Sequence, residues 1–307
     1  MTLRDEPRTI GARTVALAVL IAAMWGGNIV CTKITLEAFP PIWNAFFRML
    51  FGLPTLLMWA RTGGVRLWPE RDQWRPLLLL GVLFSVQILL LYFSIQLTSA
   101  AYSAVLINAS PVLTSLIAHY FVPGDRLSPM RMMGLGVAFL GVFAVLGGKP
   151  DPRLAPAPLL GNILSLATAA LIAVRMVYTQ RLVQNLDSTK TIVWQVTFTL
   201  PIFLTAAALT EPHLVIGPAT VRVLAAFLYC SWGVVGIAFI LWVRLLQKHP
   251  PGLISVFVFP TPLFGVLFSA LLFGERITPA LGLGVAAVAA GVLLVTLEKR
   301  SLRPAGK

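Results

Sequence analysis

The sequence predicts an all-α integral membrane protein of ten transmembrane helices, arranged as two inverted five-helix repeats. Three observations carry that prediction. Hydrophobic residues make up 58% of the 307-residue chain and charged residues only 11%. A soluble domain carries about 25% charged residues, and a chain this apolar cannot cover its own surface in water. Ten long apolar runs follow one another with short connections. Finally, Gly124-Asp-Arg-Leu-Ser-Pro129 returns 150 residues later as Gly274-Glu-Arg-Ile-Thr-Pro279, and the register continues through Gly134/Gly284, Gly141/Gly291 and Val145/Val295. A fixed period that long marks one unit written twice.

A helix needs roughly 20 apolar residues to cross a hydrocarbon core about 30 Å thick. The candidate spans are 15–36, 41–60, 74–97, 101–121, 130–147, 159–182, 191–209, 221–245, 252–273 and 279–297. Arg4, Arg8 and Arg13 precede the first, which is too long for the apolar core of a signal peptide and reads as a permanent helix. The first repeat covers 1–148, the Pro-rich 149–158 is a connecting loop, and the second repeat covers 159–307. Five is odd, so the second copy enters the membrane from the opposite side. Inverted repeats place a binding site near the midplane between the halves.

Basic residues give the orientation. With the N-terminus inside, 17 of the 24 Lys and Arg fall in cytoplasmic segments, four in outer ones, and Lys33, Arg48 and Arg175 within spans. This positive-inside bias predicts cytoplasmic termini and accounts for the net charge of +13 without nucleic-acid binding. The two cysteines, Cys31 and Cys230, are too few and too far apart in sequence for a disulfide framework or a metal site. They read as small buried hydrophobes, and no metal or other cofactor is expected.

Every Asp and Glu lies in a loop or at a helix edge. Exporters of organic cations commonly need an intramembrane carboxylate, so cationic drugs and polyamines are disfavoured as cargo. The ionisable groups inside the spans are Lys33, Arg48, Arg175 and His119. A charge at that depth faces a cavity or a partner, or it snorkels and bonds backbone carbonyls. Polar residues also recur at helical spacing. Trp25, Asn28 and Thr32 share a face of the first helix; Ser85, Tyr92 and Gln96 of the third; Asn108 and Ser115, with Pro111, of the fourth; Thr168, Arg175 and Tyr178 of the sixth. Interhelical bonding explains any one stripe, whereas four together predict a polar cavity. Tyr102 and Trp242, with Trp194 and Trp232, are aromatic candidates for its wall; Trp43, Trp68 and Trp74 are interfacial anchors.

Pro54, Pro111, Pro201, Pro260 and Pro262 are expected to interrupt helices two, four, seven and nine, with Pro111, Pro260 and Pro262 as hinges. The Gly- and Ala-rich fifth and tenth helices are assigned to scaffold or to a subunit contact. No obligate protein partner is predicted beyond lipid and a small-molecule substrate.

Trp25-Gly-Gly-Asn-Ile-Val-Cys-Thr-Lys33, then Pro40-Pro-Ile-Trp-Asn-Ala-Phe-Phe-Arg48, resembles the opening of EamA-type members of the drug/metabolite transporter superfamily. The Pro111 helix ending in the first hexapeptide, and the later copy of that hexapeptide, look like the same family's most recognisable element. The chain departs from it at Asp125, where Glu is usual, and at Arg175, where an apolar or aromatic residue is common. The resemblance implies ten helices and export of small metabolites across the bacterial inner membrane, most similar to YddG-type exporters of aromatic and other neutral amino acids. A nucleobase or an anionic sugar derivative is the alternative cargo, and a membrane-embedded lipid-modifying enzyme built on His119 the remote one.

Overall fold

The computed structural model describes residues 12–121, 129–183, 185–248 and 260–301. Among them every regular element is a helix. They are α1 (Ala12–Thr35), α2 (Pro41–Thr62), α3 (Trp74–Leu97), α4 (Ala100–Ile107), α5 (Ser110–Phe121), α6 (Pro129–Leu146), α7 (Pro158–Leu182), α8 (Ser188–Thr210), α9 (Val221–Leu228), a π-helical stretch (Tyr229–Ala238), α10 (Phe239–Lys248), α11 (Thr261–Phe273) and α12 (Pro279–Ser301). With α4 and α5 counted as one broken pass, and α9, the π stretch and α10 as another, these helices fit the ten predicted passes. Five stretches are long and apolar enough to cross a membrane: Arg13–Thr35, Trp74–Leu97, Pro158–Thr179, Ser188–Thr210 and Val221–Trp242. Large apolar side chains lie exposed on their outer faces and those of their neighbours, among them Leu140, Phe143, Leu159 and Leu209.

Local sequence explains the element ends. Ser99 accepts from the Tyr102 amide, Asp187 from the amides of Thr189 and Lys190, and Thr220 from that of Val223, so α4, α8 and α9 begin on side-chain caps. Pro41 and Pro158 open α2 and α7, where a missing N–H costs nothing. The second hexapeptide is a stop–start module. Gly274 closes α11 with φ +64°, the left-handed C-cap that glycine adopts without penalty. Glu275 turns inward and accepts from Ser269 Oγ at 2.6 Å, and Thr278 Oγ1 accepts from the Leu281 amide at the start of α12. Residues 124–128 of the first hexapeptide lie outside the described residues.

The proline expectations divide. The fourth pass is broken at Asn108–Ala109, with Pro111 as the second residue of α5, so the 101–121 span is two helices. Asn108 and Ser115 therefore do not share one continuous face. Pro260 caps α11 and Pro262 sits in its first turn; residues 249–259, where the ninth span was expected to begin, lie outside the described residues. Pro54 and Pro201 do not interrupt their helices: α2 and α8 run through them unbroken.

The largest helix contacts recur when the two halves are exchanged. Helix α1 packs on α11 as α7 packs on α4 and α5. Helix α3 lies on α7 as α1 lies on the α9–π–α10 rod, and α3 meets α8 as α2 meets the π stretch. The pairs α2–α8, α4–α11 and α6–α12 join each helix to its opposite number. Small residues set the last of these. A Cβ on Gly141 would sit 2.8 Å from the Val288 amide nitrogen, so α6 and α12 touch backbone to backbone. The glycines assigned to scaffold or subunit contact are thus used within the chain.

Candidate functional site

The predicted site residues fall into separate groups. Arg175, on α7, reaches across to α3 and α8. Its Nε donates to Gln87 Oε1 at 2.6 Å, its Nη1 to Gln195 Oε1 at 3.4 Å, and its guanidinium carbon lies 5.2 Å from the centre of the Phe84 ring. All three partners are neutral, and neither α3, α7 nor α8 contains an Asp or Glu. Gln87 and Gln195 are buried and spend their carbonyl oxygens on this one cation. Tyr178, one turn on, donates from its hydroxyl to the Pro76 carbonyl, tying the end of α7 to the start of α3. Thr168, further back on α7, bonds its own helix at the Leu164 carbonyl.

A second group surrounds the π stretch. Trp25 meets Trp242 edge-on, with ring centres 5.1 Å apart at 62°. One turn along α1, the Asn28 carbonyl lies 4.0 Å from Cys230 Sγ, and Thr32 Oγ1 lies the same distance from that sulfur. Cys31 and Cys230, distant in sequence, come within hydrogen-bonding reach of each other. The π stretch widens the helix by one residue per turn, an arrangement that recurs at functional sites. It offers Cys230 and Ser231 to the interior while Trp232 stays half-exposed, its Nε1 donating to the Phe51 carbonyl.

Arg48, on α2, is 3% exposed. Its Nη1 is 3.4 Å from the hydroxyl of Tyr92, itself fully buried, and its Nε has no partner. The Tyr92 hydroxyl also contacts the Thr32 side chain, which joins this group to the face of α1. Lys33 is held quite differently. Its Nζ donates to the carbonyls of Ile95, Thr98 and Leu154 at 2.5, 2.8 and 2.7 Å, and to that of Gln96 at 3.2 Å. Those carbonyls lie at and beyond the end of α3, where backbone acceptors lack helical partners. Lys33 is therefore a tether from α1 to α3 and the 147–157 connection, the carbonyl-bonding role that was one of its two readings.

The remaining candidates are dispersed. Ser85 is buried and bonds its own helix at the Gly81 carbonyl. Gln96 is exposed, at the edge of an open groove of about 240 Å³ that Glu37, Pro40 and Val215 also line. Tyr102 is buried among Val142, Leu281 and Val285, its hydroxyl 3.5 Å from Thr278 Oγ1. Asn108 bonds the Ala104 carbonyl from its Nδ2 at the helix break. Trp194 joins Trp68 and Trp74 in an aromatic cluster and donates to the Leu67 carbonyl. The side chains of His119 and Ser115 lie outside the described residues. Sequence reasoning passed over Gln87, Gln195 and Ser231. The first two signal only as amides in otherwise apolar runs, and Ser231 gains its interest from the π geometry.

Known proteins resemble the chain along nearly its full length. A relative from Escherichia coli, named "Probable amino-acid metabolite efflux pump", is 23% identical over 292 residues, covering 91% of this chain and 93% of its own. Its namesake from Salmonella typhimurium is 24% identical, covering 94% and 96%. An uncharacterized transporter of Archaeoglobus fulgidus is 26% identical over 298 residues, covering 94% and 99%. A solved crystal structure superposes with a TM-score of 0.69 over 95% of this chain and all of the other, at 20% identity, which shows a shared fold. The EamA-like transporter family model matches twice, over residues 12–147 and again over 159–297. The chain is a multi-pass membrane transporter, and it belongs to the EamA-like transporter family.

Proposed function

We propose that this transporter exports amino acids, aromatic and other neutral ones, across the bacterial inner membrane by alternating access. The observation that carries the cargo assignment is Arg175: a guanidinium held by two amide oxygens and a ring face, with no carboxylate in the helices around it. A cation so placed favours an anionic group on the cargo. The α-carboxylate of an amino acid supplies that group, and the Trp25–Trp242 pair offers aromatic surface for a side chain. The relatives named as amino-acid metabolite efflux pumps point the same way.

The proposed architecture is a pair of inverted five-helix repeats, 1–148 and 159–307, with both termini cytoplasmic. Three observations support it: the doubled family match, the packing that survives exchange of the halves, and the Lys33–Leu154 bond. That bond ties the end of α1 to the connection that leads into α7, which supports opposite senses for the two first helices. Such repeats exchange conformations to open the path to one side and then the other. Trp25, Asn28, Tyr92, Arg175, Tyr178 and Trp242 are proposed as path residues, with Pro111, Pro260 and Pro262 as hinges.

Proteoliposomes holding the purified protein test this directly. Labelled phenylalanine is expected to show saturable flux that unlabelled neutral amino acids compete away. Absence of flux with every neutral amino acid would remove the cargo assignment. Saturable flux of a nucleobase or an anionic sugar derivative instead would establish the alternative.

A further inference from the structure

Assigning Arg175 to the cargo leaves a second guanidinium, and a more deeply buried one, unexplained. Lys33 shows how this fold treats a purely structural cation: four backbone carbonyls surround it. Arg48 receives nothing comparable. Among the described residues its one side-chain hydrogen bond is the long contact to a neutral phenol and its Nε is buried without a partner, while it is only 3% exposed. No Asp or Glu occurs in α1, α2, α3 or 221–248. Burying an unpaired charge costs several kcal/mol, and a neutral residue of similar volume would pack there without that cost.

Orphaned acceptors accompany it. Asn28 Oδ1 and Ser231 Oγ are both buried without partners. They belong to the same neighbourhood: the Asn28 backbone carbonyl lies 4.0 Å from Cys230 Sγ, Ser231 follows Cys230, and a Cβ on Gly52, one turn along α2 from Arg48, would lie 3.0 Å from the Ser231 backbone oxygen. A cation short of acceptors beside oxygens short of donors matches a zwitterion. Arg48 and the Tyr92 hydroxyl take a carboxylate, and Asn28 Oδ1 with Ser231 Oγ takes an ammonium group.

The two guanidiniums also line up along α3. Arg175 engages Phe84 and Gln87, and Arg48 engages Tyr92, five residues beyond Gln87 and roughly 8 Å further along the axis at 1.5 Å per residue. Arg175 lies towards the end of α3 where Tyr178 is bonded to Pro76, and Arg48 towards the end tethered by Lys33.

We propose that Arg48, Tyr92, Asn28 and Ser231 form a second station for α-amino acids, which receives the zwitterion after Arg175 when the Lys33 end of the bundle opens. This rests on the exporter reading and extends it from one contact to a two-step path that reads both charged groups.

The test compares three cargoes in proteoliposomes: phenylalanine, phenethylamine (no carboxylate) and phenylpyruvate (no ammonium). Wild-type flux of phenylalanine is read first and bears on the exporter reading alone. The station predicts little phenethylamine flux. It predicts that Arg48→Gln lowers phenylalanine flux at least about tenfold, as loss of a charge-assisted bond does. Tyr92→Phe, which keeps the ring in the core, lowers it about threefold, and Asn28→Ala lowers phenylalanine flux while sparing phenylpyruvate. Maleimide labelling of Cys31, read by mass spectrometry, supplies a signal independent of transport. Phenylalanine or phenylpyruvate is expected to slow it in wild type and not in Arg48→Gln. Wild-type phenylalanine flux retained within twofold by both Arg48→Gln and Tyr92→Phe would overturn the station and leave the exporter reading standing. If wild type moves no phenylalanine, failure of every carboxylate to protect Cys31 overturns the station as well.

Discussion

Helix α1 opens the first of the two family matches and α7 the second, at residues 12 and 159. The two helices hold equivalent places in the packing, yet their chemistry has diverged. On α1 the central position is an indole packed on Trp242, and the helix end is a lysine bound to four carbonyls. On α7 the interior polar group is a guanidinium bound to two glutamines, and the helix is followed by an exposed valine. Duplication conserves what packing requires, the small residues and helix stops, because backbones that touch tolerate no added volume. Side chains facing a polar interior are free to differ, and there α1 presents an indole and α7 a guanidinium.

Substitutions that erase this difference break it most directly. Arg175→Trp, which puts an indole of the kind found on α1 into α7, is expected to reduce amino-acid flux by at least about tenfold, since it removes the cation and strands the buried Gln87 and Gln195 oxygens. Flux assays beside a melting curve in detergent separate lost transport from lost folding. Gly141→Leu attacks what the halves share. With 2.8 Å from a Cβ to backbone nitrogen, α6 and α12 must part, at a cost of about 1–3 kcal/mol, read as a lower melting temperature.

Lys33→Met tests the tether. It leaves acceptors at the end of α3 unpaired, each loss costing about 1–3 kcal/mol where water does not replace the lysine. The effect should show as faster hydrogen exchange at 95–98 and 154 with α6–α12 packing unaltered. Trp25→Leu should be smaller, about 0.5–1.5 kcal/mol for the lost ring pair, and should weaken phenylalanine flux more than alanine flux.

The smallest effect belongs to the connection between the halves. Hydrogen bonds from Arg153 hold the Asp151 carboxyl at about pKa 2. A lowered carboxylate pKa adds stability above the group's ordinary value and loses it as pH falls through about 2. Asp151→Asn should therefore lower the melting temperature only slightly, and by the same amount from pH 5 to 8, because the Arg153 side chain is exposed to solvent.

Much of this is legible in the residues. The ten apolar runs, the doubled hexapeptide and the interior cations follow from composition and spacing, since lipid leaves little choice about which residues face it. The helix break at Asn108–Ala109 is announced by Pro111, while α2 and α8 pass through Pro54 and Pro201, because neighbouring helices supply the packing that a single lost backbone bond gives up. Which cation serves which purpose is not legible. Lys33, Arg48 and Arg175 read alike as charges inside spans. Only their partners distinguish them, and those partners come from segments 20 to 121 residues away.

By itself the sequence determined that the chain is a helical, twice-written membrane protein whose spans lack acidic residues, because burial of apolar surface and the cost of intramembrane charge act on every residue wherever its neighbours stand. The tertiary structure alone decided that Lys33 is satisfied, that Arg175 leans on neutral amides and that Arg48 lacks a counterpart. Hydrogen bonds are short-ranged and directional, so they exist only once α1, α2, α3 and α7 are brought side by side.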